Sequence, residues 1–149
     1  MMDPKTLNKA RKYCAYQERS QQELRDKLYS LGLHRQEVEK AISQMIEEGF
    51  VNEERFAIAY AGGKFRMKQW GRIKIKLALK RKKVSDYCIR KALNEIDEKE
   101  YQKTLEKIIL TYSKKVSEKN QLKKNYKVAQ FAIGKGFEAE LVWNFLKQE

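Results

Sequence analysis

One apolar pattern occurs three times in this chain, at Leu24/Leu28/Leu33/Val38/Ile42, at Ile75/Leu79/Val84/Ile89/Leu93 and at Val128/Ala132/Phe137/Val142/Leu146. The second copy lies 51 residues beyond the first and the third 53 beyond the second, with the same spacing inside each. Self-similarity at such a period marks stacked supersecondary units rather than one irregular core. The first two positions of a copy are four apart, as are the last two, so each pair falls on one helix face and the middle position falls in the connection. Each copy therefore predicts a helical hairpin.

Start and stop signals agree. Ser20 with Glu23 three residues on is a capping box, and Gly32 suits the left-handed residue that ends a helix. Gly136 occupies that position in the third copy, whereas the second copy has Lys83, which is strained if the turn is kept. A further apolar stripe precedes each hairpin: Leu7, Ala10, Tyr13 and Cys14; Phe56, Ala57, Tyr60 and Ala61; Leu105, Ile108, Ile109 and Tyr112. Gly49 is placed to stop a helix and Asn52 to cap the next. Between Ser113 and Asn125 the chain is rich in Lys, Ser and Asn, which predicts a connecting loop. The expected fold is all-α: three tandem three-helix repeats over residues 1–50, 51–98 and 99–149, stacked as an elongated, curved array.

Composition fits that class, with 36% charged and 42% apolar residues and Pro4 as the single proline of 149 residues. No run of 18 apolar residues provides a membrane helix, and the stretch Met1-Met2-Asp3-Pro4-Lys5 lacks the apolar segment of a signal peptide, so a cytoplasmic location is expected. Cys14 and Cys88 lie inside helical patterns and read as small buried residues rather than a disulfide.

The formal charge of +13 is unevenly held. Residues 53–97 carry 13 Lys and Arg against 5 Asp and Glu, and no acid falls between Arg55 and Ser85. A field of one sign over that length attracts a polyanion. On a helical wheel Arg72, Ile75, Ala78, Leu79 and Lys82 face the core, with Lys82 reaching out from its edge, while Lys74, Lys76, Lys80 and Arg81 point outward beside a second stripe, Ile73 and Leu77. Just before them, Lys64-Phe-Arg66-Met-Lys68-Gln-Trp70-Gly interleaves cations with aromatic side chains. Trp70 is placed either to stack on a base or partner or to pack between repeats, and Phe65 is expected in the core. The candidate contact surface is Lys64, Arg66, Lys68, Trp70, Arg72, Lys74, Lys76, Lys80, Arg81 and Lys83.

Catalytic and metal chemistry find no constellation. The single histidine, His34, sits at a helix start where capping is the expected role, and one histidine with two remote cysteines makes no zinc set. Gly62-Gly63 lacks the Lys-Ser/Thr of a phosphate loop. No enzyme activity and no cofactor are expected.

Several of these residues together carry a resemblance. Ser20-x-x-Glu23-Leu24-x-x-Lys27-Leu28, the connection Gly49-Phe-Val-Asn-Glu-Glu-Arg-Phe-Ala57 with Tyr60 following, the entry Gly71-Arg72-x-x-Ile75 with Leu79, and the closing Gly136-Phe137 with Val142 are similar to the RecX family of recombinase regulators. The similarity extends over nearly the whole chain, and the three-helix repeat is that family's architecture. It implies a non-enzymatic protein that lodges in the RecA filament on DNA and restrains ATP hydrolysis and strand exchange, in bacterial DNA repair, recombination and the SOS response. The chain opens almost directly on its first repeat, so no amino-terminal extension is expected. Partners would be the RecA filament and single- or double-stranded DNA, directly or through the filament, with the chain a monomer. Two other readings stand beside it: a nucleic-acid-binding helical module with no recombinase partner, and an interaction scaffold that recruits a protein through Ile73 and Leu77.

Overall fold

A computed structural model describes residues 3–147; Met1 and Met2, part of the amino-terminal stretch read above, lie outside the described residues. Within them the chain is all-α: α1 (Pro4–Tyr16), α2 (Gln21–Ser30), α3 (Arg35–Glu47), α4 (Glu53–Lys68), α5 (Arg72–Arg81), α6 (Asp86–Asn94), α7 (Glu98–Ser113), α8 (Gln121–Gly134) and α9 (Ala139–Lys147). No strand occurs among the described residues.

The repeated signature is what these helices bury. Thirteen of its fifteen positions are buried, and Leu33 and Leu93 are half-buried. Burying one such aliphatic side chain stabilises by about 1.5–3 kcal/mol. The three hairpin turns share one backbone hydrogen bond, Leu33 N–H to the Leu28 carbonyl at 3.4 Å, Val84 to Leu79 at 3.2 Å and Phe137 to Ala132 at 3.3 Å. Each turn passes through the left-handed region, at Gly32 (φ 88°), Lys83 (φ 62°) and Gly136 (φ 102°). The second copy thus keeps the turn of the others and holds a lysine in the conformation glycine favours.

The helices pack as two compact units. The first comprises residues up to Tyr60 together with Leu79–Ala92. Here α1, α2 and α3 pack mutually, and Ala10, Cys14, Leu24, Leu28, Val38, Ala41, Ile42, Met45 and Val51 form the core, with Leu7, Leu33 and Phe50 against it. Helix starts are capped as the sequence predicts. The Ser20 hydroxyl accepts from Glu23 N–H at 3.0 Å while the Glu23 carboxylate accepts from Ser20 N–H at 2.9 Å, and Asn52 Oδ1 accepts from Arg55 N–H at 2.8 Å. Gly49 ends α3 at φ 80°. Arg11 grips Glu48 with two donors, at 2.9 and 3.1 Å. That hydrogen bond holds the Glu48 carboxyl below its ordinary range.

The second unit comprises Ala61–Ala78 and residues from Leu93 onward. Its centre is aromatic: Phe65, Tyr101 and Phe137 are buried, with ring centroids 5.7 Å apart for the first pair and 5.0 Å for the second. Helices α7, α8 and α9 pack around it, burying Leu105, Ile109, Val128 and Val142. The connection between α7 and α8 is shorter than the charge pattern predicts, since α8 already begins at Gln121. The Asn120 side chain accepts from Lys123 N–H at 3.1 Å and so starts a helix whose first turn is polar.

Candidate functional site

The basic segment begins on the last turns of α4. That helix stops at Lys68 because Gln69 turns into the left-handed region (φ 56°), and the end closes with Gln69 N–H to the Phe65 carbonyl at 3.0 Å and Trp70 N–H to the Lys64 carbonyl at 3.2 Å. This is a helix-ending motif with glutamine where glycine is usual. Gly71 then meets the turn between α8 and α9: its N–H donates to the Lys135 carbonyl at 2.8 Å, and Ile73 N–H donates to the Gly136 carbonyl at 2.9 Å. Two of the unpaired donors at the start of α5 are thereby satisfied by backbone. Both glycines are required by proximity. A Cβ on Gly71 would lie 2.3 Å from the Gly136 carbonyl carbon, and one on Gly136 would lie 2.4 Å from Lys74 Cβ.

This geometry brings Lys64, Trp70 and Lys74 together. Lys64 Nζ is 5.1 Å and Lys74 Nζ 4.7 Å from the Trp70 ring centroid, so two ammonium groups converge on one half-buried indole. Such cation–π contacts draw positive charge to the indole, where a base or an anionic group can be met by stacking and charge together. Arg66, Lys68 and Lys76 are exposed in the same unit, and none of the ion pairs among the described residues involves them. Met67 is 82% exposed, and Ile73 and Leu77, the outward stripe read from the sequence, are 47% and 51% exposed.

Arg72 has a different environment. Its guanidinium lies 3.7 Å from the Tyr101 ring centroid and pairs with Glu138 at 2.6 Å and with Glu98. Its backbone N–H donates to the Tyr101 hydroxyl at 3.0 Å, and that hydroxyl donates to Glu138. Burial alone would lower the Arg72 pKa; the hydrogen bond and charge of Glu138 outweigh it, so the group stays charged. Burial, then the hydrogen bond to Glu138, pushes the Tyr101 phenol far above its ordinary value. Arg72 is thus held by internal carboxylates, on the core-facing side where the helical wheel puts it. Tyr101, Glu98 and Glu138 are absent from the sequence-derived set.

In the first unit Lys80, Arg81 and Lys83 are exposed around the end of α5, and no ion pair among the described residues involves them. Cations there also complement the carbonyl end of a helix. Lys82 reaches from the edge of the core to Glu23 at 3.9 Å and lies 5.6 Å from the Tyr60 ring centroid. Away from the basic segment, His34 precedes α3, where its N–H donates to the Glu37 carboxylate at 3.3 Å, and Cys14 and Cys88 are free and buried. Among the described residues no group of three His, Cys, Asp or Glu is placed to hold a metal ion, and no helix is long and apolar enough to cross a membrane.

Comparison with known proteins gives one consistent result. Residues 7–45 match the family model described as the first three-helix domain of RecX, and residues 52–93 match that described as its second three-helix domain, between them more than half of the chain. The Regulatory protein RecX of Clostridium perfringens (strain SM101 / Type A) is 34% identical over 123 residues, which are 80% of this chain and 56% of that protein. The Regulatory protein RecX of Streptococcus uberis is 29% identical over 136 residues, 91% of this chain and 52% of that protein. This chain spans about half the length of these curated relatives. The crystal structure of RecX from Lactobacillus salivarius superposes with a TM-score of 0.87 at 26% identity, covering 97% of this chain and 93% of that one.

Proposed function

Since this chain belongs to the RecX family, we propose that it is a non-catalytic regulator that binds the RecA filament and restrains its ATP hydrolysis and strand exchange. In this reading it is a cytoplasmic monomer of three three-helix repeats, 1–50, 51–98 and 99–149, acting in DNA repair and recombination. One observation carries the choice of surface: from Lys64 to Lys83 the chain presents cations with no intervening acid, and Arg66, Lys68, Lys76, Lys80, Arg81 and Lys83 are exposed. Exposed charge that no internal carboxylate neutralises is available to acidic groups of the filament or to DNA phosphates. Lys64, Trp70 and Lys74 add a flat ring with cations beside it. Arg72 supports this surface by anchoring the start of α5.

The proposal is tested by replacing Lys74, Lys76, Lys80 and Arg81 with Glu and measuring RecA strand exchange. Inhibition by the parent chain that disappears in the variant, with helical circular dichroism unchanged, supports the assignment. Inhibition equal to that of the parent overturns it.

A further inference from the structure

Within the second unit, helices α7 and α8 and the turn after α4 line a half-open cavity of about 340 Å³ that the filament reading does not use. Its size is that of a small-ligand pocket. The Tyr112 and Phe131 rings form part of its wall and lie parallel, with centroids 3.9 Å apart and planes 4° apart. Phe131 is 40% exposed, so the stack ends on an aromatic ring that water reaches. Lys107, Lys115 and Lys135 line the same cavity, and no ion pair among the described residues involves them. Gln69 lines it too, with Ile108 and Thr111, and its backbone is held in the left-handed region that a non-glycine residue adopts at a cost.

We propose that this cavity binds one nucleotide of a single-stranded nucleic acid, its base stacked on the Tyr112–Phe131 pair and its phosphates met by Lys107, Lys115 and Lys135. The pairing of elements is what selects this ligand. Aromatic rings beside unpaired lysines form the stacking platform and charged track by which single strands are held, and stacking accepts any base. A base paired in a duplex has no free face to offer, so duplexes are excluded from the aromatic wall. Gln69 also lines the cavity, and a glutamine amide can both donate to and accept from a base edge. None of the exposed cations of α4 and α5 lines this cavity, and its occupation needs no recombinase.

The test is equilibrium binding of the full chain to a fluorescent oligothymidylate, with Phe131→Ala and the double variant Lys107→Glu/Lys115→Glu. Phe131→Ala should weaken single-strand binding about tenfold while leaving binding to a duplex of the same length unchanged. The parent chain should bind an abasic strand as weakly as the variant binds the intact one. Lys107→Glu/Lys115→Glu should weaken binding to the intact and abasic strands alike and flatten its salt dependence; this variant keeps the aromatic wall and decides the matter if Phe131→Ala does not fold. Equal affinity of parent and Phe131→Ala for the single strand overturns the stacking role, as does full displacement by millimolar inorganic phosphate with abasic and intact strands bound equally. Because RecA is absent from the assay, its failure leaves the filament reading standing, and the reverse also holds.

Discussion

Replacing Gly71 by Ala adds one methyl group at the point where two backbones come closest. The new Cβ would sit 2.3 Å from the Gly136 carbonyl carbon and 2.4 Å from both the Gly136 oxygen and the Phe137 nitrogen. None of these atoms belongs to a flexible side chain, so the start of α5 must withdraw from the turn between α8 and α9. Withdrawal strains or breaks two hydrogen bonds, Gly71 N–H to Lys135 at 2.8 Å and Ile73 N–H to Gly136 at 2.9 Å. Two backbone donors left without their partners, one of them on the buried Gly71, cost about 1–3 kcal/mol each, so a total loss of about 2–6 kcal/mol is expected. That is a large part of the roughly 5–15 kcal/mol by which a domain is stable. Gly63→Ala is the matched control: Gly63 lies inside α4, and a Cβ there meets nothing within 4 Å. Relief of helix-interior glycine entropy should stabilise this variant by about 0.5–1 kcal/mol. Thermal unfolding followed by circular dichroism reads both. At about 2–4 °C per kcal/mol for a chain of this size, Gly71→Ala should melt roughly 4–24 °C below the parent and Gly63→Ala slightly above it. Exchange of the Ile73 amide should quicken only in the first. An unchanged melting temperature for Gly71→Ala, or shifts of the same sign in both variants, would refute the claim that this contact holds α5.

Two further variants probe the local chemistry. Tyr101→Phe removes the hydroxyl that donates to Glu138 and accepts from Arg72 N–H, and should cost about 2–4 kcal/mol in denaturant unfolding with little change in helix content. The folded-state pKa of Tyr101 is raised, so its contribution is present below the ordinary phenol value of about 10 and is lost as pH rises beyond it; the alkaline fall in stability should therefore be shallower in Tyr101→Phe than in the parent. Lys83→Gly releases a left-handed lysine (φ 62°) and should raise the unfolding midpoint by the equivalent of about 0.5–1 kcal/mol, whereas a fall would mean that the side chain contributes more than its backbone costs.

The repeat makes the helices legible because the same five positions pack inward in each hairpin, thirteen of the fifteen buried, whatever residues occupy them. Even Lys83, the one position where turn chemistry argues against the pattern, follows the register, since Val84 and Leu79 still close the turn. Tyr101 was not legible. It stands in the charged first turn of α7, and its partners Arg72 and Glu138 are 29 and 37 residues away, beyond the reach of any local period. For the same reason the charge count groups Arg72 with the exposed cations, although Glu98 and Glu138 hold it. The loop before α8 is shorter than its composition suggests because the polar first turn of α8 resembles a linker; Asn120 as a cap marks the start of the helix. Likewise Gln69 has no turn chemistry of its own, and its left-handed backbone follows from how α4 ends against the rest of its unit.

The most direct measurement is ATP hydrolysis by RecA on single-stranded DNA, with and without this chain, repeated at a large excess of DNA. The filament assignment predicts that hydrolysis is inhibited and stays inhibited as DNA is added, because the chain acts on the filament. Inhibition that free DNA titrates away, or hydrolysis that the chain leaves unchanged, would contradict it.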